Sequence, residues 1–304
     1  MEVLRTPDER FVGLPDYDLE PRYTEVTAAD GTVLRYHYVD EGPAEAPPVL
    51  LLHGNPSWTY LHRHMIRGLV DRGHRVVGLD LMGLGRSDKP TARSDYSLAN
   101  HVDWMSQWLE AVDLVDVTLY CQDWGGITGL SLVRLHPDRF SRVIASNTGL
   151  PVGEGVNRFM QQWLDFSQSV EELPIGALVA GGVSRSLSDA EKAAYDAPFP
   201  DASYQASALE FPLLIPLQPD NPGVPICQAT WAFLETWTKP FLTVFGADDA
   251  IAYKPGAHLK FQKLVPGAAG QPHEVIEGAN HFIQEDAPER LVQIIHEFTE
   301  AAPT

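Results

Sequence analysis

Cysteine is nearly absent. Cys121 and Cys227 are the only two in 304 residues. That is too few for a disulfide framework, and a reducing compartment is the simpler reading. Basic side chains are scarce too: 22 Lys and Arg stand against 41 Asp and Glu, for a formal net charge of −19. This balance argues against a nucleic-acid binder and against attraction to an anionic membrane, and it favours a small, neutral substrate. No apolar run approaches a membrane span. Residues 1–21 are polar, with Arg5, Asp8, Glu9 and Arg10, and lack the apolar core of a signal peptide. A soluble, cytoplasmic protein is expected. Repeats and low-complexity tracts are missing. The histidines, among them His37, His62, His64, His74, His101, His136, His258, His273 and His296, show no zinc-type clustering. The length and the apolar content of 44% suit one large α/β domain with room for an inserted module.

Strand-like and helix-like stretches alternate through the first half. Residues 22–41 alternate around Asp30-Gly31, as in a β-hairpin. Residues 48–52, 75–79, 117–121 and 142–146 are short apolar runs of the kind buried on both faces of a parallel sheet. Helical spacing lies between them at 59–70, 100–112 and 127–135. The pattern predicts a mostly parallel, doubly wound sheet. After Asn147 the alternation stops. Helix-like pieces follow at 158–170, 175–180 and 189–195, the last with a capping box of Ser188 and Glu191. Pro-rich turns such as Ala197-Pro198-Phe199-Pro200-Asp201 separate and follow them. Strands resume at 240–245 and 272–276, and a helix closes the chain at 288–301. The expected organisation is a core over 1–148 and 222–304 with a helical cap inserted at 149–221.

The segment Gln122-Asp123-Trp124-Gly125-Gly126 follows a strand and precedes a helix. That is the context of a nucleophile elbow, with Asp123 where serine usually stands. A carboxylate is already ionised at neutral pH and suits attack at a saturated carbon that bears a leaving group. The same residues also read as a plain turn with an Asp cap. Two further polar positions stand after strands: Asp249 in Gly246-Ala247-Asp248-Asp249, and His281 in Gly278-Ala279-Asn280-His281-Phe282. Carboxyl ends of parallel strands converge where ligands bind. The order nucleophile, acid, histidine is that of the α/β-hydrolases. An alternative slot for the acid, after Ser146, holds Asn147, which carries no stable charge. Asp249 is therefore the acid, with Asp248 its close competitor. The loop His53-Gly54-Asn55-Pro56 would supply the Asn55 N–H to an oxyanion hole shared with the Trp124 N–H.

Together, His53-Gly54-Asn55-Pro56-Ser57-Trp58, Gln122-Asp123-Trp124-Gly125-Gly126 and Ala279-Asn280-His281-Phe282 resemble the haloalkane dehalogenases, as do Tyr195 to Asp201 and Tyr204-Gln205-Ala206. The likeness extends from Leu4 to Asp286. It implies an α/β-hydrolase fold and hydrolysis of a carbon–halogen bond of a haloalkane to an alcohol, a halide ion and a proton. Asp123 would attack carbon to form an alkyl ester. His281, oriented by Asp249, would then activate water against that ester. No metal or organic cofactor is needed. An indole N–H is a donor without acceptor capacity, which suits a departing halide. Trp124 is the first such donor. The family takes its second from a cap aromatic or from the loop Asn, and this chain offers both Trp163 and Asn55. Trp58, Trp104, Trp108, Trp231 and Trp237 read as packing residues, and Cys121 as a buried strand residue. Phe159, Phe166, Leu178, Val179 and Leu214 are candidate pocket residues. Two competing readings remain. One is an epoxide hydrolase of the same fold, which would use cap tyrosines such as Tyr195 and Tyr204. The other is a catalytically silent binding protein. Oligomeric state is not readable from the sequence.

Overall fold

The computed structural model describes residues 1–301. Its main sheet has strands β1 (Arg22–Thr27), β2 (Val33–Glu41), β3 (Pro48–Leu52), β4 (Arg75–Leu79), β5 (Val117–Gln122), β6 (Phe140–Ser146), β7 (Phe241–Gly246) and β8 (Glu274–Ile276). Across the sheet they run β8-β7-β6-β5-β3-β4-β2-β1. The neighbours from β8 to β4 are parallel, and the β1–β2 hairpin adds antiparallel at the β4 edge. β3 and β5 are buried along their whole length. Covered on both faces, they need apolar residues at every position rather than at alternate ones.

Alternate side chains feed two cores. Val49, Leu51, Tyr120, Ile144 and Leu242 point to one face, where α1 (Arg63–Val70) packs on α11 (Pro288–Glu300). Leu50, Leu52, Leu119, Cys121 and Val143 point to the other, beneath α2 (Leu98–Val112), α3 (Trp124–Leu135) and α8 (Val224–Leu234). Cys121 is fully buried there, and burial pushes its thiol up, so it packs as a small apolar residue. Trp58, Trp104, Trp108, Trp231 and Trp237 are buried as well.

Between β6 and β7 the chain leaves the sheet through α4 (Arg158–Ser169), α5 (Ile175–Gly181), α6 (Asp189–Asp196) and α7 (Ala206–Leu214) before reaching α8. The capping box is present: Ser188 Oγ accepts from the Glu191 N–H, and Glu191 accepts from the Ser188 N–H. Several elements depart from expectation, among them the helices over 224–234 and 257–264, where none is expected. Residues 59–62 form a 3₁₀ turn ahead of α1, and α3 begins at Trp124 rather than at 127. Residues 206–214, within the stretch read as Pro-rich turns, form α7 with Pro212 inside it. That helix tolerates proline because the carbonyl it leaves free, that of Ala208, finds another donor.

The histidine pattern also departs from expectation. Folding brings His74, His296 and Glu300 within 4.8 Å of one another, a grouping that chain separation hides. His74 Nε2 lies 2.8 Å from His296 Nδ1 and ties α11 to the turn before β4, at the end of the sheet opposite Asp123. The remaining strong ties are ionic. Arg63 is fully buried and donates to both oxygens of Glu285, at 2.6 and 3.1 Å, and to Glu191 at 3.2 Å. Arg185 bridges Glu191 and Glu285, and the Tyr195 hydroxyl donates to Glu285. This network pins α6 to α1 and to α10 (Ile283–Asp286), which follows α9 (Ala257–Leu264). Among the described residues no helix is long and apolar enough to cross a membrane.

Burial raises the pKa of Glu285, but the guanidiniums outweigh it and hold the carboxyl below its ordinary value of 4.5. Its stabilisation is therefore complete above that value and is lost as pH falls through the lower folded-state value. Glu285→Leu takes two carboxylate contacts from the buried Arg63 guanidinium, leaves it only Glu191 as a charged partner, and is expected to cost about 3 kcal/mol. Thermal unfolding at pH 7 checks this. A melting temperature equal to that of the parent would refute the role of the network.

Candidate active site

Asp123 stands at the turn between β5 and α3 with φ 51 and ψ −123, a strained conformation for a non-glycine residue. Its surroundings hold it there. The Asp123 N–H donates to the Asn147 carbonyl at 3.2 Å, and Thr148 Oγ1 donates to the Asp123 carbonyl at 2.7 Å. A Cβ at Gly126 would fall 2.0 Å from Thr148 Oγ1, so the turn admits only glycine there. The Asp123 side chain does not cap α3; its Oδ1 accepts from the Asn55 N–H at 2.9 Å. Gly54 permits that approach, since a Cβ there would lie 2.1 Å from the same oxygen. The Trp124 N–H heads α3, among the donors that a helix leaves without intrahelical acceptors.

His281 lies between two carboxylates. Its Nδ1 is 3.2 Å from Asp249 Oδ1, and its Nε2 is 3.6 Å from Asp123 Oδ2. Burial lowers the imidazole pKa, but Asp249 and Asp123 outweigh it and push it up to about 10. Burial likewise raises that of Asp249, whereas the facing imidazole and the N–H groups of Ile251 and Ala252 bring it below the ordinary carboxylate value. The competitor Asp248 is exposed, so Asp249 is the acid that meets the histidine.

A cavity of about 380 Å³ opens on Asp123 and is also lined by Asn55, Trp124, Trp163, Asp249 and His281. A second, of about 400 Å³, meets it at Asp123 and Trp124 and reaches the surface at Glu154 and Lys260. Of the candidate pocket residues, Phe159 and Leu178 line the first cavity. Phe166, Val179 and Leu214 line neither: Phe166 is exposed on α4, Val179 is buried in the core and Leu214 packs against it. Among the described residues, neither the Trp124 nor the Trp163 indole N–H has a protein acceptor within hydrogen-bonding distance. Trp124 is seated by Phe211 of α7 at 4.8 Å, and Phe211 stacks on buried His101 at 4.5 Å. The Asn55 amide is partly engaged: Nδ2 donates to the Ala208 carbonyl at 3.3 Å, the acceptor freed by Pro212. Tyr195 and Tyr204 line neither cavity, and the Tyr195 hydroxyl is spent on Glu285.

Two residues of the site were read too lightly from the sequence. Asn147, noted only as a failed acid, donates to the carbonyls of Asn280 and His281 at 2.8 and 2.9 Å and accepts from the Gly246 N–H at 2.8 Å. It thereby ties three strand ends together. Gln122, read only as part of the elbow, reaches His281 with its side chain. A polar residue at the end of a buried strand was the available signal for each.

The fold and site define a hydrolase of the α/β class, and the family model described as alpha/beta hydrolase fold matches residues 47–288. Longer comparisons narrow this. The chain is 48% identical to a haloalkane dehalogenase of Psychrobacter cryohalolentis, over 98% of this chain and 99% of the relative. It is 46% identical to one of Mycolicibacterium paratuberculosis, over 99% of each. The solved tetrameric haloalkane dehalogenase of Paraglaciecola agarilytica matches with a TM-score of 0.90 at 35% identity, over 99% of both chains. The chain belongs to the haloalkane dehalogenases, hydrolases of carbon–halogen bonds. The epoxide-hydrolase alternative is not favoured, and the positions of Tyr195 and Tyr204 agree.

Gly54→Ala should displace the Asp123 carboxylate by pressing a methyl group on it. A shift of that kind is expected to lower halide release by about a hundredfold or more while the fold survives. Steady-state bromide release with a circular-dichroism control measures it, and parental rates would show that the close approach is not needed.

Proposed function

We propose that this chain hydrolyses haloalkanes through an alkyl ester on Asp123. Asp123 Oδ2 attacks the halogen-bearing carbon in line, the carbon–oxygen bond forms, and the halide leaves with the bonding pair toward Trp124 and Trp163. The observation that carries this reading is His281 set between Asp249 and Asp123, at 3.2 and 3.6 Å, beside a cavity lined by two indoles without protein acceptors. Donors aimed at developing charge in a water-poor site lower the barrier most. We assign the second halide contact to Trp163 in the first place, because one Asn55 amide hydrogen is already engaged by Ala208.

The electrostatics support a change of role for His281 between the two steps. In the resting enzyme two carboxylates favour the imidazolium. Ester formation removes the charge of Asp123, so the imidazole pKa falls and the ring becomes a base. Water then gives a proton to Nε2, and its oxygen attacks the ester carbonyl. Asp249 holds Nδ1–H, and the Asn55 and Trp124 N–H groups stabilise the tetrahedral oxyanion. Collapse releases the alcohol and restores the Asp123 carboxylate. Residues 149–221 serve as the cap that closes the cavity over a core of 1–148 and 222–304, of which 302–304 lie outside the described residues. The haloalkane, the halide ion and water are the partners required, and a cytoplasmic location belongs to the same reading.

His281→Phe should trap the ester, adding the alkyl mass to a peptide that contains Asp123 after one turnover of 1-bromobutane. Unmodified protein by intact mass would count against the scheme. Trp163→Phe should weaken bromide binding by roughly 10- to 100-fold, the worth of a hydrogen bond to a charged group, and Asn55→Ala by less. Bromide titration of both variants separates the two donors. The reverse order would transfer the role to Asn55.

A further inference from the structure

The side chain of Gln122 is fully buried between β5 and the His281 loop, and the ester mechanism leaves it without a task. Its Nε2 lies 3.2 Å from the His281 carbonyl and 3.1 Å from His281 Nε2. Its Oε1 is buried with no partner in the structure. Only an N–H can face a backbone carbonyl favourably, so the His281 carbonyl fixes which way the amide points. The same NH₂ group is then what meets the ring. It can donate there only if His281 Nε2 is an unprotonated acceptor, with the ring hydrogen on Nδ1 toward Asp249. An imidazolium would set N–H against N–H.

We propose that Gln122 is a positioning residue that selects the neutral, Nδ1–H form of His281 once Asp123 is esterified and yields the Nε2 lone pair to the attacking water as the ester is hydrolysed. This deepens the reading of Asp123 and His281 given above and rests on it. The charged groups facing the ring are Asp249 from the loop after β7 and Asp123 from the elbow. The other polar neighbours, Gln122 at the end of β5 and Asn147 after β6, are uncharged. While Asp123 is a carboxylate, both acids oppose Gln122 and the imidazolium is favoured. Once Asp123 is an ester, only Asp249 remains, and the amide hydrogen of Gln122 tips the balance toward the bare nitrogen. Asn147 holds the same His281 carbonyl at 2.9 Å, so the amide of Gln122 keeps a fixed reference as the charge changes.

The test is the pH dependence of the second step, measured by rapid mixing with 1-bromobutane so that the bromide burst and the following ester hydrolysis are resolved. Ester hydrolysis fails on the acid side as His281 becomes protonated. Gln122→Met keeps the length and removes the donor; Gln122→Glu replaces the donor with a charged acceptor. Both should keep the burst and move the acid limb of ester hydrolysis upward, Gln122→Glu by the larger amount, of about one unit or more, which is a tenfold loss at a pH on the limb. Acid limbs that stay in place, whatever the rate lost, would overturn the proposal and leave Gln122 a packing residue. A measurement that does not depend on altering Gln122 uses Asp123→Asn, which carries an uncharged side chain as the ester does. Imidazole ¹⁵N resonances of His281 at pH 7 should report Nδ1–H with a bare Nε2; a doubly protonated ring would overturn the proposal. Failure of His281→Phe to accumulate ester would instead remove the underlying mechanism.

Discussion

A carboxylate held at the end of a buried strand, in a backbone conformation that side chains avoid, is the constraint around which the rest is built. Asp123 adopts φ 51, and residues in such regions persist only where their surroundings over-determine them. Here three segments contribute. Asn147 accepts from its N–H, Thr148 donates to its carbonyl, Gly126 clears the space beneath it, and Gly54 lets the Asn55 N–H reach its oxygen. Each segment follows or precedes a parallel strand. The strand order β6-β5-β3 brings the three loops together, so the sheet topology is itself part of the site.

Charge is managed by the same economy. Three ionisable groups lie in a row, and a net negative pair of acids flanks one imidazole. Burying such a row is costly unless its members compensate each other and their hydrogen bonds are filled. Asp249 meets this demand with backbone N–H groups as well as His281. Asp123 keeps one oxygen for Asn55 and leaves the other facing His281 and the cavity. Under the proposed mechanism the order of reactivity follows from that asymmetry: the oxygen without a strong donor would be the better nucleophile, and the one bound by the Asn55 N–H would become the carbonyl oxygen of the ester.

The legible part of the sequence was the part governed by short-range rules. Continuous apolar runs revealed β3, β4 and β5, the Ser188–Glu191 spacing revealed the start of α6, and Asp123, Asp249 and His281 could be found because strand ends are where polar residues interrupt apolar runs. What escaped depended on contacts between distant segments. Proline normally ends a helix, so α7 was missed; its Pro212 is tolerated because the orphaned Ala208 carbonyl meets Asn55, a residue 153 positions away in the chain. Asn147 and Gln122 did stand at strand ends, but nothing local tells which distant group each side chain meets, and the His74–His296 contact and the Ala208–Asn55 contact gave no signal at all.

That missed helix bears on the chemistry. Pro212 frees a carbonyl, the carbonyl engages the Asn55 amide, and the neighbouring Phe211 sets the plane of the Trp124 indole. One turn of α7 therefore touches both a candidate halide donor and the loop that carries the candidate oxyanion N–H. The insertion between β6 and β7 cannot be regarded as a lid laid over a finished catalytic centre. Its packing fixes the orientation of groups that belong to the core. Changes in α7 should accordingly alter halide stabilisation as well as access, whereas changes confined to the exposed face of α4 act on access alone. Rigid support of donors by residues outside the reacting shell is what preorganisation requires, and here the support comes from an element whose own irregularity supplies the hydrogen-bond acceptor.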